Sequence, residues 1–559
     1  MGRHPARTHY PRTPHLPWSP GASSDDIRTG DLAALHGREV VVTEKLDGEN
    51  TTLYGDGLHA RSPDSAHHPS RAWVKALQGR IADRIPAGWR VCGENVYARH
   101  SLAYDDLESW FYGFSVWDGD GRCLDWDGGS DFLRGLGIPV PRVLWRGVFD
   151  ERALRRLKVD TERHEGYVVR TAGGFAAEEF RHRVAKWVRP GHVRTSTHWM
   201  HAAVVVNGLA PSAALWAVRS GAAPDPAALL EAVGLPDGDA RAAGDVAARL
   251  GGTGDERLAG VLAGLLHTRH RGTLAGRLAR PLGLPLARRV ADLVGLHTGL
   301  HRPYPDEQRR TGLLRMSYAV GLDALHAVAA ATAPDAAARE QVEWSALHAE
   351  EVRPIGPLRE AFAGLDPEAA ARCLGEAREA YALGRVGTVE EAVAATWRRR
   401  SGNFPRLIHL VGPSGSGKST FARALRGVDA YVSLDALREA RGARGARADQ
   451  SANGEILRRG LDRLGTALAE GATVVWDATS LNPHQRSLVH AVARRRDALV
   501  THAVVLVDED ELVRRNERRP HPVPAEVLTA QVRRYVPPYP GQAHRTWYIG
   551  AGGTIEEEA

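Results

Sequence analysis

Residues 407–425 read LIHLVGPSGSGKSTFARAL, and they decide the architecture of the last third of the chain. The run LIHLV has the continuous hydrophobicity of a strand buried on both faces. It ends in G-x-x-x-x-G-K-S and gives way to a segment that reads as a helix. A strand, a glycine-rich turn and a helix N-terminus in that order can cradle phosphates. Gly412, Gly415 and Gly417 would let backbone N–H groups turn inward, and Lys418 would reach the β- and γ-phosphates of a nucleotide. Ser419 can ligate Mg²⁺, with Thr420 beside it in the nucleotide-binding set. The alternative is a glycine-rich turn that binds nothing.

Downstream, TVVWDAT and AVVLVD alternate with helical segments, the pattern of a parallel sheet. Asp435, in YVSLDALR, falls at the end of the second strand, where a carboxylate can accept a proton from an attacking hydroxyl. It can also serve as a helix N-cap, and the two roles are compatible. Asp477 ends another strand, in VVWDATSLNPHQR, where it would orient magnesium-bound water or the phosphoryl acceptor. RRNERRP, residues 514–520, places Arg514, Arg515 and Arg518 on a lid helix able to clamp a transferring phosphoryl group. Together, residues 404–548 resemble the polynucleotide 5′-kinase family. The resemblance implies Lys418 and Ser419 for ATP and magnesium, Asp435 as general base, Arg438 for the acceptor phosphate, and an arginine of the lid. Small-molecule P-loop kinases share the loop and the lid, so the acceptor has to be argued from elsewhere in the chain.

EKLDGEN, residues 44–50, lies between the strand-like runs VVVT and TTLYGDG. One interpretation is a hairpin, because Asp-Gly suits a type I′ turn. The other is that Lys45 is a nucleophile able to attack the α-phosphorus of a nucleotide and form lysyl-AMP. HARS, VCGENVYARHSLAYDDLESWFYGFSVWD, HEGYVVR and RVAKWVR follow in order. This ordered set resembles the covalent nucleotidyltransferases, most closely the RNA ligases. The resemblance implies that Lys45 is adenylylated by ATP, that Glu44 reads adenine, that Arg61 binds phosphate and that Glu94 binds ribose. It further implies that Phe114 stacks on adenine, that Glu165 organises the metal or the lysine, and that Lys186 holds the α-phosphate. DNA ligases usually carry arginine where this chain has Asn50, which leans toward the RNA-ligase branch. Many ligases have two lysines in the last motif; here Lys186 stands alone, and which of the two it represents stays open. The lead-in YPRTPHLPWSPG looks like an ordered N-terminal arm and is assigned no chemistry.

The stretch between these two regions is rich in Ala, Leu and Arg at helical spacing. LLHTRHRGTLAGRLARPLG and VADLVGLHTGLHRPYP resemble the HD phosphohydrolases in texture. Where that family has aspartate after histidine, this chain has Thr268 after His267, so His267, His270, His297 and His301 are expected to be an incomplete metal set. The region is expected to be a scaffold without phosphatase chemistry.

At 559 residues, with 43% hydrophobic and 25% charged residues, the chain is long enough for several ordinary domains. The formal charge of +6 is compatible with a polyanionic partner. Three cysteines lie far apart in no metal-ligand spacing, which excludes a disulfide framework or a cysteine zinc cluster. The lack of a long apolar run or a signal-like N-terminus suggests a cytoplasmic protein with no membrane partner.

The expectation is a multidomain α/β protein. It comprises an arm (1–35), an antiparallel α+β ATP-dependent RNA ligase domain (36–199), an all-α, degenerate HD-like region (200–396), a P-loop polynucleotide kinase domain with a parallel sheet (404–548) and a frayed acidic tail (549–559). The cofactors implied are ATP and Mg²⁺ or Mn²⁺, and the partner is RNA. A separate 3′-end-healing phosphatase or phosphodiesterase would complete the pathway. A DNA end-repair enzyme and a non-catalytic ATP-responsive RNA sensor are the rival functions.

Overall fold

The computed structural model describes residues 7–63, 67–191, 203–304, 306–352, 357–440, 450–519 and 521–559. The expected boundary at 199/200 lies outside the described residues. The chain forms two compact units, one of residues up to Asp237 with Leu250–Val261, the other of Gly238–Arg249 with Leu262–Ala559.

In the first unit, ten strands form two antiparallel sheets. They are β1 (Glu39–Lys45), β2 (Glu49–Tyr54), β3 (Gly57–Ala60), β4 (Arg90–Asn95), β5 (Phe111–Trp117), β6 (Arg122–Cys123), β7 (Val143–Val148), β8 (Gly166–Thr171), β9 (Phe175–Ala176) and β10 (Val184–Val188). One sheet has the order β10-β8-β1-β7 and the other β3-β2-β4-β5-β6-β9. The hairpin reading of EKLDGEN is therefore overturned: β1 pairs with β7 and β8, whereas β2 pairs with β3 and β4. The Leu46–Gly48 link crosses from one sheet to the other. Gly48 is required there, since a Cβ would sit 2.5 Å from the Asn95 carbonyl oxygen.

The proline-rich arm contributes to the first sheet. His15 bridges Lys186 in parallel, Leu16 N donates to Lys186 O at 2.8 Å, and Lys186 N donates to Pro14 O at 2.9 Å. Leu16 is fully buried with Val40, Val42 and Val169, which fixes the arm by apolar burial as well as by hydrogen bonds.

The second unit combines most of the helical region with a six-stranded sheet of β11 (Arg406–Val411), β12 (Ala430–Ser433), β13 (Thr473–Asp477), β14 (Leu499–Val505), β15 (Arg545–Ile549) and β16 (Ile555–Glu558). Their order is β12-β13-β11-β14-β15-β16, with every pair parallel except β15–β16. Helices cover the sheet, so β11 and β14 are buried almost throughout, as their apolar runs anticipate. The chain leaves β11 toward β13 and β12 on one side and later takes up β14 on the other. That switch places the loop after β11 at the crevice where such sheets bind ligands.

One expectation needs correction. The frayed tail is instead an edge strand: β16 pairs with β15, and Arg288 of helix Leu284–Leu296 donates to Glu557 at 2.7 and 2.9 Å. Ahead of β11, Arg399 and Arg372 both donate to Asp497 and Phe404 is buried, which fixes the segment that leads into the sheet. Among the described residues no helix is long and apolar enough to cross a membrane.

Candidate active sites

A cavity of about 1000 Å³ in the first unit is lined by residues of both sheets and the arm. Lys45 ends β1 opposite Gly166 of β8, so its amine meets the carboxylate of Glu165, the residue before that strand. Glu44, Asn50, Arg61, Glu94, Phe114 and Lys186 all line the same cavity. These six motif residues and Glu165 are thus brought together around the lysine.

Burial alone would depress the Lys45 pKa, but the charges of Glu165 and Glu94 outweigh it and the net shift is upward. The same burial raises Glu94 to about 7, against the pull of Lys45. Glu44 is also raised by burial, with His164 3.5 Å away opposing the shift. Lys186 is pushed down by burial and then by repulsion from Lys45. The cavity holds its cations and carboxylates in mutual balance, and Asn50 Oδ1 is buried there without a hydrogen-bond partner among the described residues. That orphaned acceptor suits a donor group on a polar ligand, and Lys45, Arg61 and Lys186 suit an anionic one.

Several contributors have no role in the motif-based expectation. Asp47 Oδ2 accepts from Ser101 N, Ser101 Oγ and Leu102 N at 2.8, 2.6 and 2.9 Å, clamping the turn behind Lys45. Glu49 and Arg71 form a buried two-pronged ion pair; removing either partner of such a pair costs roughly 3–5 kcal/mol. Tyr10, Arg12, Thr13 and His15 of the arm line the cavity, and the Tyr10 ring meets Phe114 edge-on at 5.2 Å. The arm, assigned no chemistry from its composition, is part of the site wall.

A second cavity of about 950 Å³ lies at the carboxyl ends of β11 and β13. Gly412, Gly415 and Gly417 have φ of 152°, 81° and 102°, values that shape the loop after β11 and are natural to glycine. Gly415, Gly417, Lys418, Ser419 and Thr420 line the cavity. Lys418 is buried and donates to Pro413 O at 2.7 Å; burial lowers its pKa to about 8, against Asp477 and Asp435. Ser419 Oγ donates to Asp477 Oδ2 at 2.8 Å, and Tyr431 donates to the same carboxylate. A hydroxyl beside a carboxylate is a hard-oxygen pair of the kind that suits Mg²⁺.

Asp435 and Arg438 pair with each other and line this cavity. Asp435 is not the helix cap: Ala436 N donates to Ser433 Oγ at 3.3 Å, which gives that role to Ser433. The lid arginines also differ from expectation. Arg514 is exposed and pairs with Glu511, and Arg518 is exposed away from the cavity lining. Of the three expected, Arg515 lines the cavity, joined by Arg519 four residues on, and Arg515 donates to Ser416 O at 3.0 Å. Gln531, unassigned by motif, accepts from Ser414 N at 2.8 Å.

In the helical region, His267, His297 and His301 gather with ring separations of 5.9 and 5.8 Å. His270 stands apart, at the start of helix Arg271–Leu282. Asp239 Oδ2 lies 3.2 Å from His267 Nε2, so a carboxylate that Thr268 cannot provide comes from another segment. The nitrogens are otherwise engaged with backbone: His297 Nδ1 is 2.9 Å from Val294 O and His301 Nε2 is 2.8 Å from Ala329 O. Asp239 Oδ1 accepts from Ala242 N at 2.9 Å.

A buried lysine ringed by carboxylates and a glycine-rich loop with its Lys-Ser-Asp set define a protein with two nucleotide-type sites. Residues 38–188 match the family model described as RNA ligase, and residues 407–538 match the one described as AAA domain. The N-terminal segment is thus similar to RNA ligases and the C-terminal segment, which holds the phosphate loop, to AAA domains. No curated protein matches it. Among solved structures, an archaeal ATP-dependent RNA ligase is 15% identical at a TM-score of 0.24, covering 32% of this chain and 48% of that one. The Naegleria gruberi RNA ligase with PPi is 18% identical at 0.22, covering 33% and 60%. A gluconokinase from Sinorhizobium meliloti is 22% identical at 0.20, covering 27% and 84%. The chain spans about half the length of the archaeal ligase that it matches.

Proposed function

We propose that this protein heals and seals RNA ends, phosphorylating 5′-OH ends in its P-loop domain and joining 5′-phosphate to 3′-OH ends in its ligase domain. The observation that carries the proposal is the convergence of Lys45, Glu165, Glu94, Arg61 and Lys186 on one cavity. In the first step the Lys45 amine attacks the α-phosphorus of ATP; a P–N bond forms, the α–β P–O bond breaks, and pyrophosphate leaves. Lys45 must first give up a proton, and Glu165 is the acceptor within hydrogen-bond reach. Glu44 and Phe114 would hold adenine, Glu94 ribose, and Arg61 and Lys186 the phosphates. Next, an oxygen of the RNA 5′-phosphate attacks the lysyl-AMP phosphorus, giving AppRNA and restoring the amine. Finally the 3′-OH attacks the 5′-phosphorus, forming the phosphodiester and expelling AMP.

In the P-loop domain, an RNA 5′-OH attacks the γ-phosphorus of ATP, ADP leaves, and Asp435 takes the hydroxyl proton. Arg438 and Arg515 would hold the acceptor and the transferring phosphoryl group. Ser419 and Asp477 would hold Mg²⁺ or Mn²⁺, which offsets phosphate charge during transfer. RNA cleaved by 2′-OH attack also carries a 2′,3′-cyclic phosphate, so a separate 3′-healing phosphatase or phosphodiesterase is the expected partner.

The test is to incubate the protein with α-labelled ATP and with γ-labelled ATP plus 5′-OH RNA or DNA. A covalent AMP adduct, label on the RNA 5′ end and a sealed RNA product are expected. Equal or better use of DNA would instead make it a DNA end-repair enzyme, and tight ATP binding with neither adduct nor transfer would make it a sensor.

A further inference from the structure

The β11 and β14 runs, RLIHLV and LVTHAVV, each place a histidine in a strand otherwise built for an apolar interior. His409 and His502 are register partners, so they project on the same side of the sheet. Helix Pro483–Arg495 supplies His490, whose ring stacks on His502 at 4.8 Å and lies 5.6 Å from His409. One nitrogen from each of the three lies within 4.8 Å of the others. His490 Nε2 and His502 Nε2 are 2.9 Å apart.

Two of these rings are incompletely satisfied. His409 and His502 are fully buried, yet His409 Nδ1 and His502 Nδ1 have no hydrogen-bond partner among the described residues. A buried polar group left unpaired typically costs about 1–3 kcal/mol, so an ion bound through His409 Nδ1 would remove one such cost. His409 Nε2 is held 2.8 Å from Ser480 Oγ, the kind of outer contact that orients a metal-binding imidazole. His490 also lines a cavity of about 1040 Å³ open to the helical side of the unit, which gives an ion a way in.

We propose that His409, His490 and His502 form a transition-metal site that ties β11, β14 and helix Pro483–Arg495 together beneath the phosphate loop. Three imidazoles without a carboxylate select Zn²⁺, Co²⁺ or Ni²⁺ over Mg²⁺ and Ca²⁺. Ligand nitrogens around tetrahedral zinc lie roughly 3.3 Å apart, given Zn–N of about 2.0–2.1 Å. The His490–His502 pair is close to that spacing already, and His409 completes a set whose nitrogens lie within 4.8 Å of one another. His409 lies three residues before Gly412, so the ion would brace the strand that presents the loop. The site is separate from the Ser419–Asp477 oxygen pair and does not depend on the ligase or kinase assignment.

The test uses the full chain, stripped with a chelator and reloaded with Zn²⁺ or Co²⁺. One equivalent should survive gel filtration, Co²⁺ should show visible d–d bands of a nitrogen-ligated site, and Zn²⁺ should raise the thermal midpoint by several degrees. His490→Gln should abolish all three effects, whereas the double change His267→Ala with His301→Ala should keep them. X-ray absorption on the Co²⁺-loaded wild type should show an imidazole shell, and it covers the case in which His490→Gln does not fold. Retention of no ion by the folded wild type, an oxygen-only shell, or unchanged binding in a folded His490→Gln protein would each overturn the proposal.

Discussion

Two lysines face two cavities in this molecule, and their surroundings drive them in opposite directions. Lys45 is ringed by Glu165, Glu94 and Asp47, so its pKa rises despite burial. Lys418 sits in a backbone loop where burial dominates and lowers it to about 8. The residue proposed as nucleophile thus holds its proton more tightly than the residue proposed as a cationic clamp. In one site carboxylates hold the proton on the amine. In the other, a buried cation with few counter-charges is ready to gain from a phosphate. Side chains from two sheets and an arm make up the first site, whereas one contiguous loop supplies most of the second.

If the two sites are chemically independent, the largest effects come from the lysines themselves. Lys45→Ala should remove the AMP adduct and RNA sealing below detection on intact-mass and gel assays while leaving 5′ phosphorylation intact. Lys418→Ala should do the reverse on RNA that already carries a 5′-phosphate. Loss of both activities in either variant would break the comparison. Asp435→Asn comes next: loss of a general base should lower 5′ phosphorylation by about 10²–10⁴-fold, with ATP affinity and sealing preserved. A parental phosphorylation rate would remove Asp435 from the chemistry.

The lid offers a finer test, because Arg515 faces the loop and Arg514 does not. Arg515→Ala should reduce phosphorylation by about 10–100-fold, the scale of a lost hydrogen bond to a charged group. Arg514→Ala should stay near the parental rate; equal losses would mean that the helix presents a different face in turnover. The smallest effect is on pH dependence in a Lys45→Ala background, read as the part of ATP binding that a further Lys418→Ala change removes. Free Lys418 loses its proton as pH rises through about 8. Above that pH, binding the triphosphate must take up a proton, so ATP affinity should weaken toward tenfold per pH unit. Calorimetric titration that finds a flat profile from pH 7 to pH 10 would show that Lys418 stays charged in the free protein.

The phosphate loop and the lysine at the end of β1 were legible because their chemistry is written in contiguous residues. Arg515 was harder to choose over Arg514, since both belong to one arginine run and only the packed helix shows which face meets the loop. The arm gave no periodic signal, as its prolines suit an extended chain; its pairing with Lys186 is what makes Tyr10 and Arg12 part of the wall. The acidic composition of residues 555–558 suggested fraying, yet β15 supplies backbone partners and Arg288 a counter-charge. Asp239 could not be found by looking beside His267, because it comes from a different segment.

By itself, then, the sequence determined the two kinds of fold and the glycine loop, which depend on local spacing and on buried or alternating strands. Only the tertiary structure decided that β1 and β2 belong to different sheets, that the arm closes the ligase cavity and that His409, His490 and His502 meet. Those outcomes depend on groups distant in the chain being forced together by burial and strand register, which local composition does not encode.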